Sequence, residues 1–227
     1  MGINVSLLHN RWVHEMGVVE NGCFEDVRHE MPNYAARSTW KRATEITGIA
    51  IHHSATVHNL FGQSFDNAHT IFNFHVNRQK WDHGGYHYII LPNGTIQYAL
   101  DESFAAWHAG FEDPEDRLGL EAGQYWNNHF LAICLTGWFE SWRRARIWRS
   151  VTRRRIPILN LHTRPPPAQM QSLLRLLYHL MAHYALAPEQ VYGHCELEAH
   201  QTQCPGPNFD LYRLRCQLAT KRLTSIH

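Results

Sequence analysis

Residues 86 to 100 read Tyr86-His87-Tyr88-Ile89-Ile90-Leu91-Pro92-Asn93-Gly94-Thr95-Ile96-Gln97-Tyr98-Ala99-Leu100, two β-rich runs on either side of Pro92-Asn93-Gly94. Proline fixes one turn dihedral and glycine supplies a positive φ, so the stretch predicts a β-hairpin with arms 86–91 and 95–100. Upstream, Ile49 and Ile51 alternate with Ala50 and His52, which predicts a short strand ending at His52-His53-Ser54. Between the two, Ala68, Ile71, Phe72 and His75 share one face of a helix spanning about Phe65 to Gln79. Downstream comes a further strand, Phe130 to Thr136. Pro165-Pro166-Pro167 then opens an amphipathic helix whose apolar positions are Met170, Leu173, Leu174, Leu177, Leu180, Met181 and Tyr184. Val191-Tyr192-Gly193 reads as another strand end, and a last helix runs from about Phe209 towards Leu223 with Asn208 as its cap. Strands alternating with helices imply an α/β layer fold, a central mixed sheet flanked by helices.

The 227 residues carry 21 Lys+Arg against 20 Asp+Glu, a formal net charge of +1, with 44% hydrophobic residues. That is enough apolar material for one core and excludes a disordered chain. The domain is placed at 43–227 behind a polar N-terminal extension, 1–42. Charge-free stretches such as Ile46 to Phe65 are rich in His, Ser, Thr and Asn, so a membrane-spanning segment is not expected. The first nine residues lack a basic start and an apolar run, so no secretory signal is expected either. The expected location is therefore cytoplasmic as encoded.

Eighteen histidines raise the prospect of a metal site or acid–base chemistry. The five cysteines, Cys23, Cys134, Cys195, Cys204 and Cys216, are odd in number and irregularly spaced, unlike a disulfide scaffold. Gly193-His194 lies ten residues before Cys204-Pro205-Gly206. An imidazole and a thiolate joined by a loop suit zinc, and the strand ending His52-His53 can supply a third ligand. Three protein ligands leave one tetrahedral position for water, the catalytic rather than the structural arrangement.

Five ordered pieces carry a family likeness: Ile51-His52-His53-Ser54-Ala55-Thr56; Gly85-Tyr86-His87-Tyr88-Ile89-Ile90 with Asn93-Gly94-Thr95-Ile96; Trp107-His108-Ala109-Gly110; Ile133-Cys134-Leu135-Thr136-Gly137; and Gly193-His194 with Thr202-Gln203-Cys204-Pro205-Gly206. Over about residues 46 to 215 the chain resembles the zinc-dependent N-acetylmuramoyl-L-alanine amidases of the amidase-2 type, which include phage endolysins and peptidoglycan recognition proteins. The resemblance implies a peptidoglycan recognition protein/amidase-like fold, a Zn2+ cofactor held by His52, His194 and Cys204, and Tyr86 and Thr202 as catalytic residues. His108, and with it His53, is placed among the substrate-facing residues, although strand alternation puts His53 on the face of Ile49 and Ile51. The implied substrate is peptidoglycan, cut between N-acetylmuramic acid and L-alanine by a monomer that reaches the wall after lysis or by an unconventional route. The alternative is a module that binds muropeptides without cutting them. Tyr86, Thr202, a solvent relay and His200 are the candidate proton donors.

Two features fall outside the likeness. Where relatives commonly carry Gly-His-Arg-Asp, this chain has Gly193-His194-Cys195-Glu196. An insertion at about 138–164 contains seven arginines between Arg143 and Arg155 beside Trp138, Trp142 and Trp148. The run reads either as a solvated loop or as a contact for a polyanion such as nucleic acid, teichoic acid or lipid headgroups. The acidic loop around Glu112, Asp113, Glu115 and Asp116 is a further candidate to cover it.

Overall fold

The computed structural model describes residues 23–33, 42, 45–56, 66–109, 124–139, 164–197 and 202–224. The arginine run, the acidic loop, His200 and the first twenty-two residues of the expected extension lie outside them.

Two strands buried along their whole length form the middle of the sheet: β2 (Gly48–His53) and β5 (Phe130–Leu135), paired in parallel with His52 opposite Cys134. Being covered on both faces, β5 is a continuous apolar run rather than an alternating one. The hairpin forms as β3 (Tyr88–Ile90) and β4 (Ile96–Tyr98), shorter than the sequence suggested; β3 pairs with β5 in parallel. On the other side β6 (Val191–Gly193) pairs with β2, also in parallel. A sixth strand, β1 (Phe24–Asp26), adds to β4, giving the order β1-β4-β3-β5-β2-β6. Part of the stretch read as an extension is thus an edge strand of the same sheet. Nothing in Phe24-Glu25-Asp26 announces it, because the pairing rests on distant groups. Ile96 N–H donates to the Cys23 carbonyl and Val27 N–H to that of Tyr98, while Arg28 pairs with both Asp26 and Asp101.

Helices cover both faces. On one, α1 (Ala68–Asn73) starts with a reciprocal Asn67–Thr70 capping box and runs on into a π turn, Phe74–Arg78. The predicted face, Ala68, Ile71, Phe72 and His75, is the buried one. A short helix, α2 (Gln124–His129), leads directly into β5. On the opposite face lie α3 (Pro167–His183) and α4 (Leu211–Thr224). Leu173, Leu176, Leu177 and Leu180 are at most 1% exposed and pack on Ile49, Ile51, Leu131 and Ile133; each stabilises the fold by roughly 1.5–3 kcal/mol.

The α3 stripe differs from the predicted one. Leu176 is fully buried, Met170, Leu174 and Tyr184 only partly, and two polar residues, Gln169 and Ser172, face the sheet. The Gln169 amide donates to the carbonyls of Ile90 and Thr136 at 2.7 and 3.0 Å, and the Ser172 hydroxyl to that of Gly94 at 2.6 Å. Buried carbonyls at the strand ends need donors, and that need turned the helix about its axis. At α4 the start shifts too. Asp210, not Asn208, accepts the Arg213 N–H at 2.9 Å and serves as the cap.

Candidate metal centre

Parallel pairing brings the ends of β2 and β6 to one edge. Gly193 ends β6 and Ile51, its register partner, precedes His52, so the residues that follow both positions emerge side by side. The His52 and His194 ring centroids are 4.5 Å apart. His194 opens a 3₁₀ turn in which the Glu196 carboxylate accepts the Gly193 N–H at 3.0 Å. Arg215 on α4 grips that carboxylate at 2.6 Å and donates to the Val191 carbonyl at 2.9 Å, tying the helix to the turn.

The loop carrying Cys204 is fixed by its own backbone. Cys195 N–H donates to the Cys204 carbonyl at 2.7 Å and Cys204 N–H to the Thr202 hydroxyl at 3.1 Å. Beyond Pro205, Gly206 has φ +106°, and a Cβ there would lie 2.5 Å from the Phe139 carbonyl oxygen, so only glycine lets the loop close. Cys204 Sγ lies 3.8 Å from His52 Nδ1 and accepts the His53 N–H at 3.3 Å. A backbone N–H aimed at sulfur favours the thiolate, the form that binds metal.

Donor atoms of His52, His194 and Cys204 all lie within 4.8 Å of one another. Two ligands of one tetrahedral zinc are separated by roughly 3.5 Å at ordinary bond lengths. The cluster therefore fits one ion after side-chain closure of about an ångström, with no backbone rearrangement. Burial, followed by the neighbouring His194 and His108, holds His52 well below the usual imidazole range, so its ring is neutral and has a lone pair to give.

The Tyr86 ring stands 5.2 Å from that of His52 and 5.6 Å from that of His75. Gly85 sets its approach: a Cβ there would lie 2.6 Å from the Trp107 carbonyl oxygen. The Cys134 thiol is one of the tyrosine's neighbours. Burial first, then Cys134, Cys204 and the Asp66 carboxylate, push the Tyr86 phenol well above its ordinary value. At neutral pH it is a hydroxyl donor. Asp66 is held by a hydrogen bond from Thr56, whose hydroxyl lies 2.7 Å from that of Ser54.

The sequence-derived residues fall into three groups. His52, His194 and Cys204 come together with Tyr86 beside them, and Thr202 sits at the start of the cysteine loop. His53, expected to meet substrate, lies on the other face of β2 with its ring 6.0 Å from Phe139 and 6% exposed. Side-chain alternation forbids adjacent residues of one strand from serving the same groove. His108, also expected there, is 6% exposed and stands behind His52. Its Nδ1 is 3.1 Å from His52 Nε2 and its Nε2 is 3.2 Å from the Trp126 carbonyl oxygen. Sequence reasoning missed Cys134, His75 and Asp66 as neighbours of Tyr86. Cys134 reaches it from the end of β5, in register with His52, a pairing that only the assembled sheet reveals. No sequence signal marks Asp66.

Residues 42–207 match the model of the Amidase_2 family, described as N-acetylmuramoyl-L-alanine amidase. The endolysin of Escherichia phage T7 is 29% identical over 137 residues, an alignment that takes in 60% of this chain and 66% of that protein, just under two thirds of its length. Among solved structures, the Ph2119 endolysin from the Thermus scotoductus MAT2119 bacteriophage Ph2119 superposes with a TM-score of 0.57 at 20% identity, covering 86% of this chain and 98% of its own. The N-acetylmuramoyl-L-alanine amidase LysC from Clostridium intestinale URNW gives a TM-score of 0.55 at 22% identity, covering 81% and 94%. At such identities the two structures speak for the fold alone.

Proposed function

Because the chain belongs to the N-acetylmuramoyl-L-alanine amidase family, we propose that it hydrolyses the amide between the lactyl group of N-acetylmuramic acid and L-alanine in peptidoglycan, using one zinc ion held by His52, His194 and Cys204. The observation that carries this reading is the cluster of two imidazoles and a thiolate within 4.8 Å, next to the half-buried Tyr86. Three ligands from this donor set are the zinc-hydrolase complement. When bound, zinc supplies an acidified water and a Lewis acid for the scissile carbonyl.

The protein's own groups do the rest. The Tyr86 hydroxyl, kept protonated by its surroundings, donates to the carbonyl oxygen as negative charge develops on it. As the carbon–nitrogen bond breaks, the amine of L-alanine takes up a proton and the lactyl group leaves as a carboxylate; Thr202, next to the cysteine loop, and Tyr86 are the donors assigned to that transfer. The enzyme acts as a monomer on the wall after lysis, and among the described residues no helix is long and apolar enough to cross a membrane. In this reading the arginines between Arg143 and Arg155 would meet wall or other polyanions, the alternative being a solvated loop.

Digestion of intact sacculi with and without chelator, read by mass spectrometry, tests the reading. Release of stem peptides with a free L-alanine amine, abolished by chelator and restored by zinc, is the expected result. Muropeptide binding with no bond cut would replace it with the recognition alternative.

A further inference from the structure

We infer that His108 is a positioning residue that fixes the ring tautomer of His52, so that Nδ1 of His52 carries the lone pair offered to a metal. The proposal deepens the zinc reading and rests on it for its consequence, though not for its geometry.

The Trp126 carbonyl oxygen can only accept, so the His108 nitrogen 3.2 Å from it, Nε2, bears the hydrogen. A neutral imidazole has one N–H, which leaves His108 Nδ1 as an acceptor. The atom 3.1 Å from it is His52 Nε2, which must therefore be the donor. His52 Nδ1 is then the bare nitrogen, and it is the one facing Cys204 Sγ at 3.8 Å. The sequence of bonds runs one way, from His52 through His108 to Trp126. Reversing it would bring two hydrogens or two lone pairs together at one of its joints.

The supporting residue is itself held. Asn127 Oδ1 accepts both the His108 and Ala109 backbone N–H groups, at 3.0 and 2.9 Å, and Asn127 is 0% exposed. The two rings meet edge to face at 81° with centroids 5.1 Å apart. With His52 1% and His108 6% exposed, solvent does not replace the partner. The same contact ties Trp107-His108-Ala109 to the centre, although it lies far along the chain from the three ligands. It acts through His52 and not on substrate. Partners of this kind orient a ligating ring, and their loss typically weakens metal affinity about 10–100-fold.

Two measurements test it. Long-range proton–nitrogen spectra of the metal-free protein are expected to show His52 as the Nε2–H tautomer; an Nδ1–H signal overturns the proposal whatever the metal does. In chelator competition with zinc, His108→Leu is expected to bind about 10–100-fold more weakly than the wild type. His108→Gln, whose amide can accept from His52 and donate to Trp126, should recover most of the loss. A folded His108→Leu protein that binds zinc as tightly as the wild type overturns the inference while leaving the zinc reading intact. A wild type that shows the Nε2–H tautomer but takes up no zinc supports the positioning geometry and sinks the metal reading instead.

Discussion

His75 makes the fold sensitive to acid, by an amount that can be worked out. Its ring is 8% exposed, lies 4.5 Å from that of Trp81 and accepts the Gly85 N–H through Nδ1 at 3.1 Å. Burial, aided by the neighbouring His83, lowers its pKa from 6.5 to about 4. Below about pH 6.5 the unfolded chain takes up a proton there that the folded protein refuses, so stability is full above that value and declines as the pH falls towards 4. The full decline is about 3 kcal/mol, and between about pH 7.5 and pH 5.5 it is about 1.4 kcal/mol. His75→Asn keeps an acceptor near the Nδ1 position but cannot titrate. Its packing cost is the same at both pH values and cancels. Urea unfolding of both proteins, with chelator present throughout, should therefore show the variant's destabilisation shrinking by about 1.4 kcal/mol at the lower pH. A destabilisation that is unchanged with pH would refute the reasoning, because it would mean that His75 titrates alike in the folded and unfolded chains.

Other substitutions test the centre and the fold around it. Cys204→Ala should lose stoichiometric zinc and all amidase activity while melting as a folded protein, checked by metal analysis and circular dichroism. Tyr86→Phe should keep its zinc and lose activity about 10²–10³-fold, the usual effect of removing one oxyanion donor; unchanged kcat would exclude the hydroxyl. Arg42 donates to the carbonyls of Glu102, Phe104, Asn128 and Phe130, and burial brings it down to about 10, so it remains charged at neutral pH. Arg42→Met should cost roughly 3 kcal/mol or more by denaturant titration, since those buried carbonyls lose a charged donor. Asp210→Ala should cost about 1 kcal/mol through the lost α4 cap.

What the sequence determined by itself were the elements whose signal is local and the donor set whose chemistry is distinctive. The alternation of Ile49 and Ile51, the turn at Pro92-Asn93-Gly94 and the proline start of α3 each report dihedral preferences or a periodicity within a few residues, and each element formed. His194 and Cys204 were legible as a pair because their types suit one ion; choosing His52 over His53 drew on the family likeness, and alternation agrees with it. Tertiary structure decided what periodicity cannot carry. Edge strand β1 exists because the Cys23 and Tyr98 carbonyls and the Asp26 and Asp101 carboxylates find partners there, not because Phe24-Glu25-Asp26 favours a strand. The face that α3 turns to the sheet was set by carbonyls at Ile90, Gly94 and Thr136 that needed donors. His108 was recognisable as part of the centre, but its place behind His52 depends on where the residues before β5 put the Trp126 carbonyl. A pattern along the chain says which neighbours share a face; which distant atom meets that face depends on strand register and on satisfying every buried polar group, and both are settled only when the whole sheet assembles.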